Sequence, residues 1–247
     1  MGLAQEATFY DHAPVLLPAE QQLLGKTLIV APHQDDESLG CGGIIYLLKQ
    51  MDIPVHVVFV TDGSKSHPNS KKYPFEKLVS LRENESVEAL AILGVGKNDI
   101  TFLRLQDGRL PTAEAPDFQD AVNAFKSVLN HFEPKTIFTP WQRDPHPDHR
   151  ATWQIVNQAV QAAPYAIRKF EYFIWLWERA GSDDLPVAGE GKIWKVDIEI
   201  AQDYKKTAVE AYLSQTTSLI DDDPEGFTLS PEVLAHFDNR FEIFLER

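Results

Sequence analysis

Two short runs of this sequence carry the residue types that bind cations and move protons. The first is His33-Gln34-Asp35-Asp36-Glu37, one imidazole and three carboxylates in five residues. That density of like charge exceeds what a structural turn needs, and a cation is the simplest thing that would hold it together. The second is Trp141-Gln142-Arg143-Asp144-Pro145-His146-Pro147-Asp148-His149-Arg150. His33 and Asp36 are three apart, as are His146 and His149, so each pair faces one side of a turn or helix start. Four nitrogen or oxygen ligand candidates result, with free carboxylates beside them. A catalytic zinc takes three protein ligands and keeps a fourth position for water, so one candidate is left over for catalysis. Either cluster alone would read as a capped helix start with a surface histidine.

The elements in front of the clusters bring them together. Thr27-Leu28-Ile29-Val30-Ala31 is a short apolar run of the kind buried on both faces of a sheet, and Pro32 ends it. Thr136-Ile137-Phe138-Thr139 ends in Pro140 in the same way. If both strands belong to one parallel sheet, both clusters leave it at the carboxyl edge, where open α/β sheets bind ligands. Val55–Thr61 is a further buried strand, and Ile100–Leu103 a short one. Helices are expected over Ser38–Gln50, Phe75–Leu93, Asp117–Phe132, Ala151–Ala162 and Ala201–Leu213. Lys192–Ile200 and Phe241–Leu245 read as further strands, Phe170–Trp177 is aromatic-rich, and 1–24 is an irregular lead-in with a short helix near Pro18. The alternation predicts an α/β fold: a three-layer, Rossmann-like, mostly parallel sheet with helices on both faces. The whole chain, 1–247, reads as one domain, with 165–247 as its C-terminal α/β extension.

Charge narrows the partners. A net charge of -14 disfavours a nucleic acid, whose binding runs on clustered Lys and Arg. No apolar run is long enough to span a membrane, and Met1 to Glu20 lacks a basic start with a continuous apolar segment, so a cytoplasmic location is expected. Cys41 is the only cysteine, which excludes an intramolecular disulfide and a cysteine-based zinc cage. It reads as a packing residue. A homo-oligomer is compatible with the sequence, which does not specify the oligomeric state.

With its two clusters in these positions, the chain resembles the PIG-L or LmbE-like family of zinc-dependent N-acetylglucosaminyl deacetylases. The likeness extends to Arg82, Glu85, Ala89 and Leu93-Gly94-Val95, to Asp107-Gly108, and to Lys206 through Tyr212, Ser214 and Gln215. Gln34 departs from it, standing where that family often has proline. The resemblance implies a Zn²⁺ held by His33, Asp36 and His149, with Asp35 as general base. It makes His146 the surplus histidine, which in its protonated form could stabilise an oxyanion, and Asp148 is placed to hold that imidazole and favour its charged form. Either Asp35 or His146 would protonate the leaving amine. Arg82 and Asp107, which periodicity alone reads as a solvated arginine and a turn residue, become substrate-binding by the same resemblance. The implied substrate is a small-molecule N-acetylated sugar conjugate and the products are acetate and a free amine.

Other readings compete. Gly40, Gly42 and Gly43 after the first strand suggest a dinucleotide site, but the glycine spacing of that fingerprint is absent, and Asp35, Asp36 and Glu37 would repel a pyrophosphate. A metal-dependent hydrolase acting on a phosphoester or another amide would also use paired aspartates; the histidines favour zinc over an oxygen-only magnesium site. A non-catalytic sugar-binding protein would have no need of Asp35, His146 and Asp148 beyond the ligands.

Overall fold

The computed structural model describes residues 9–247. Of the expected lead-in, residues 1–8 lie outside the described ones, and Pro18–Gln22 forms the short helix α1. Strand β1 (Thr27–Ala31) is buried throughout, as its uninterrupted apolar run requires. Helix α2 (Asp36–Gln50) follows, then β2 (Val55–Thr61), α3 (Phe75–Ile92) and β3 (Ile100–Leu105). Next come α4 (Phe118–Phe132), β4 (Thr136–Pro140) and α5 (Pro147–Gln161). The C-terminal third supplies β5 (Arg168–Tyr172), α6 (Leu176–Arg179), β6 (Lys192–Asp197), α7 (Gln202–Glu210), α8 (Leu213–Thr216), α9 (Pro231–Ala235) and β7 (Phe241–Glu246).

One sheet runs through all of it in the order β3-β2-β1-β4-β5-β7-β6. The first five strands are mutually parallel, and β7 runs antiparallel to both β5 and β6. Alternate residues serve opposite faces. Ile29, Ala31, Val57 and Phe59 pack with α2, α3 and α7, while Leu28, Val30, Val58 and Val60 pack with α4 and α5. Helices thus cover both faces of a mixed, mostly parallel sheet.

Two features position the clusters. β1 pairs in parallel with β4, Thr27 opposite Thr136, so the strands that precede the two runs are neighbours. Chain order reverses between them: β2 and β3 lie on one side of β1, and β4 and β5 on the other. This is the switch point at which such sheets open a crevice. Secondly, α2 approaches the sheet closely because Gly40 has no side chain. A Cβ there would stand 2.4 Å from the Tyr172 ring, and that ring is held where it is by a 2.8 Å hydrogen bond from its hydroxyl to the Val30 carbonyl.

Candidate active site

Asp35 occupies the sharp turn that converts β1 into α2. Its φ of 138° is a conformation that L side chains rarely adopt, and holding it costs about 1–3 kcal/mol unless the surroundings enforce it. Arg82, on α3, enforces it. The guanidinium is buried and donates from Nη2 to the Gln34 carbonyl at 2.6 Å and from Nη1 to the Gly63 carbonyl at 3.2 Å, with Asp35 Oδ2 at 3.5 Å. Gln34 adds a bond from Nε2 to the Thr61 carbonyl. Gly63 needs its positive φ of 68° here, and a Cβ would stand 2.2 Å from Gln34 Oε1. The ends of β1 and β2 are therefore cross-tied beneath Asp35.

The second cluster enters from β4. Helix α5 begins at Pro147, four residues before the expected Ala151, with His146 as its N-cap. His149 therefore lies within the first helical turn and is completely buried. Asp36 Oδ2 sits 3.2 Å from both His33 Nδ1 and His149 Nε2. The rings of His33, His146 and His149 have centroids 4.8–5.3 Å apart, and their nearest nitrogens lie within 4.8 Å of one another. His33, Asp107 and Asp148 meet the same distance test.

The electrostatics of the cluster are set by its carboxylates. Burial alone would lower the His33 imidazole, but its bonds to Asp107, Asp148 and Asp36 outweigh this and raise it well above its usual value. Burial likewise lowers His149, and Asp36 with Asp144 reverses it to about 9. Asp36 lies well below the usual carboxylate range because both imidazoles face it, despite its burial. The carboxylates thus hold positive charge on two rings, which a divalent ion could supply instead. Both nitrogens of His149 are buried without a well-aligned hydrogen bond. Nε2 faces Asp36, while Asp144 Oδ1 stands 3.4 Å from Nδ1, the arrangement in which a carboxylate orients a metal-binding imidazole. His33, Asp36 and His149 therefore fit a metal by donor type and by an orphaned ligand atom.

Other residues depart from what the resemblance implies. The Asp148 carboxylate does not hold His146. It accepts from Gly108 N at 2.7 Å and Leu110 N at 3.4 Å, and faces His33 Nε2 at 3.3 Å. His146 is not charged either: burial and the neighbouring His149 and His33 lower its pKa to about 3. Its Nδ1 accepts the Asp148 N–H at 3.2 Å, so the neutral ring carries its proton on Nε2. Arg82, placed at the substrate by the resemblance, lines the cleft but directs its donors to two backbone carbonyls. Asp107 also lines the cleft. It accepts from Lys65 N at 2.8 Å and stands 3.3 Å from His33 Nε2. Asp35 is pushed up to about 8 by burial, which the Arg82 charge only partly offsets. Glu37 is no ligand candidate, because Ser38 and Tyr212 donate their hydroxyls to it.

His33, Asp35, Asp36, Asp107 and His146 floor a cleft of about 210 Å³ whose walls include Lys65, Trp175, Arg179, Gln215 and Phe227. Sequence reasoning gave Lys65, Trp175 and Arg179 no part in the site. Ser214 donates its hydroxyl to Glu85, so Gln215 must present its amide nitrogen to Ser214, and its Oε1 is left buried without a donor.

The model of the family described as "PIG-L: GlcNAc-PI de-N-acetylase" matches residues 28–160, the span that carries both clusters. The chain belongs to the PIG-L family. It is similar to the protein named "Probable N-acetyl-alpha-D-glucosaminyl L-malate deacetylase 2" of Bacillus cereus, 28% identical over 199 residues, covering 79% of this chain and 86% of that protein. A "1D-myo-inositol 2-acetamido-2-deoxy-alpha-D-glucopyranoside deacetylase" of Mycobacterium sp. (strain KMS) is 27% identical over 188 residues, covering 68% of this chain and 59% of that protein. Among solved structures, N,N'-diacetylchitobiose deacetylase from Pyrococcus horikoshii superposes with a TM-score of 0.70 at 22% identity, over 99% of this chain and 90% of that one. At that identity the similarity concerns the fold. These PIG-L relatives differ in what their sugar is attached to.

Proposed function

We propose that this protein is a zinc-dependent amidohydrolase that removes the acetyl group from an N-acetylglucosamine-type sugar conjugate, releasing acetate and a free amine. His33, Asp36 and His149 hold the metal in this reading, and two imidazoles with one carboxylate suit zinc better than an ion that prefers oxygen. When bound, the ion supplies Lewis acidity and lowers the pKa of water at the site. Asp35 accepts the proton of the attacking water and returns it to the leaving nitrogen. Burial supports both roles, since a carboxyl displaced to about 8 can carry a proton near neutrality, and a nearby cation favours its ionised form. His146, neutral, donates from Nε2 to the oxygen on which charge develops. Asp148 and Asp107 hold His33, and Arg82 holds the turn that aims Asp35.

One juxtaposition carries this reading: a buried, strained Asp35 adjoining a histidine-carboxylate set with an orphaned ligand nitrogen. The names of the relatives above favour the acetamide of an amino sugar as the bond cleaved. A single catalytic domain is part of the reading, supported by the continuous sheet, as is a cytoplasmic location, supported by a single unpaired and buried cysteine. No helix among the described residues is long and apolar enough to cross a membrane. In an acetate-release assay the Asp35→Asn protein should keep its metal while turnover falls about 10²-fold or more. Full turnover by that variant would overturn the assignment of the base.

A further inference from the structure

We propose that Arg179 and Lys65 form an anion-recognising rim to the cleft, so that the preferred conjugate carries a carboxylate or phosphate on the group attached to its sugar. This rests on the deacetylase reading above and narrows its substrate class. Both residues line the same cleft as His33, Asp35 and Asp36. Neither side chain meets a carboxylate or carbonyl among the described residues. Among the arginines, Arg104, Arg143, Arg168, Arg240 and Arg247 are each paired with an acid, and Arg179 is not.

Arg179 is exposed yet held in place. Its guanidinium carbon lies 3.8 Å from the centre of the Trp175 ring. Trp175 is itself buried, packs edge-on against Phe227 at 5.8 Å, and has its backbone N–H bonded to Asp144 Oδ2 at 3.1 Å. The indole thus occupies one face of the guanidinium and leaves its N–H edge for a ligand. A planar fork preset by stacking matches the paired oxygens of a carboxylate or phosphate, and less ordering entropy is lost when they bind. Lys65 is fixed at its backbone, where its N–H donates to Asp107. The next residue, Ser66, offers its carbonyl to Phe227 N at 2.6 Å. Arg179, at the end of α6, and Lys65, in the loop after β2, therefore stand on segments tied to the catalytic floor, and Phe227 touches both, bonding to Ser66 and packing on Trp175. Asp144 serves both ends of the cleft, with one oxygen facing His149 and the other holding Trp175.

The test is steady-state deacetylation by the whole, zinc-loaded protein on three N-acetylglucosamine glycosides, whose attached group bears a carboxylate, the methyl ester of that carboxylate, or a phosphate. At least one anionic glycoside should have a KM about tenfold below that of the ester with similar kcat, and whichever anion has the lower KM is the one recognised. Arg179→Ala should raise that KM about tenfold and leave the ester's unchanged, with Arg179→Lys in between. Lys65→Ala should act in the same direction. Calorimetric binding of the deacetylated anionic product should weaken by the same factor in Arg179→Ala, a readout independent of turnover. Equal KM values for the ester and both anions in the wild type, or an Arg179→Ala effect shared equally by the ester, would overturn the anionic rim while the deacetylase reading stands. Acetate from none of the three glycosides by zinc-loaded protein would overturn the deacetylase reading itself.

Discussion

Arg82 Nη2 donates to the carbonyl of Gln34 at 2.6 Å, one residue before the strained Asp35, and its other terminal nitrogen donates to Gly63 on the neighbouring strand end. A residue that resemblance assigns to the substrate is instead the tie that fixes the turn at Asp35, the base in the reading proposed above. Replacing it with Met should lower kcat about a hundredfold through misplacement of Asp35, with KM and metal content nearly unchanged. It should also cost about 1–3 kcal/mol of stability for each carbonyl left unpaired, read by urea denaturation. A raised KM with unaltered kcat would show instead that Arg82 touches the substrate.

Asp144 stands behind His149, and Asp144→Asn should weaken zinc binding about 10–100-fold, measured by competition with a chromogenic chelator. Unchanged affinity would mean that Asp144 holds only the Trp175 and His146 backbones.

Most of the frame was legible in the sequence for a physical reason: β1 and β4 are buried on both faces, so they read as unbroken apolar runs, and each ends at a proline before a polar cluster. β5 was not legible. Arg168, Lys169 and Glu171 break its apolar pattern, and they are tolerated because each is partnered in the fold: Arg168 by Glu246, and Lys169 by Asn157. Glu171, completely buried, receives Trp153 Nε1 at 2.8 Å and Arg247 Nε at 2.6 Å. The Trp175–Arg179 stack directly follows that strand, and so it was hidden as well. Periodicity alone read Arg82 as a solvated arginine, and the structure corrects this: it is buried with Glu85 and Ala89 on the covered face of α3. Only the carbonyls of two other loops decide where a buried guanidinium points. His146 shows the same limit, since the strong lowering of its pKa comes from burial and from two other rings brought close by the fold.

Glu190 gives the fold an acid-side dependence on pH. The Arg143 guanidinium, with help from the Val187 N–H and Arg247, holds its carboxyl at about 2 against an ordinary 4.5. A carboxyl lowered in this way stabilises the fold above pH 4.5, and the contribution is lost as pH falls through about 2. Glu190→Gln should therefore be less stable than wild type at neutral pH. Thermal melts of the two proteins should converge as the pH falls from 4.5 towards 2. A gap that stays constant across that range would mean that the ionised form contributes nothing.

The most direct measurement is acetate released from an N-acetylglucosamine conjugate before chelation, after chelation, and during stepwise return of zinc. The account predicts that release stops with the metal removed and returns in full at about one zinc per chain. Release that persists without metal, or that never appears at any zinc loading with any conjugate, would contradict it.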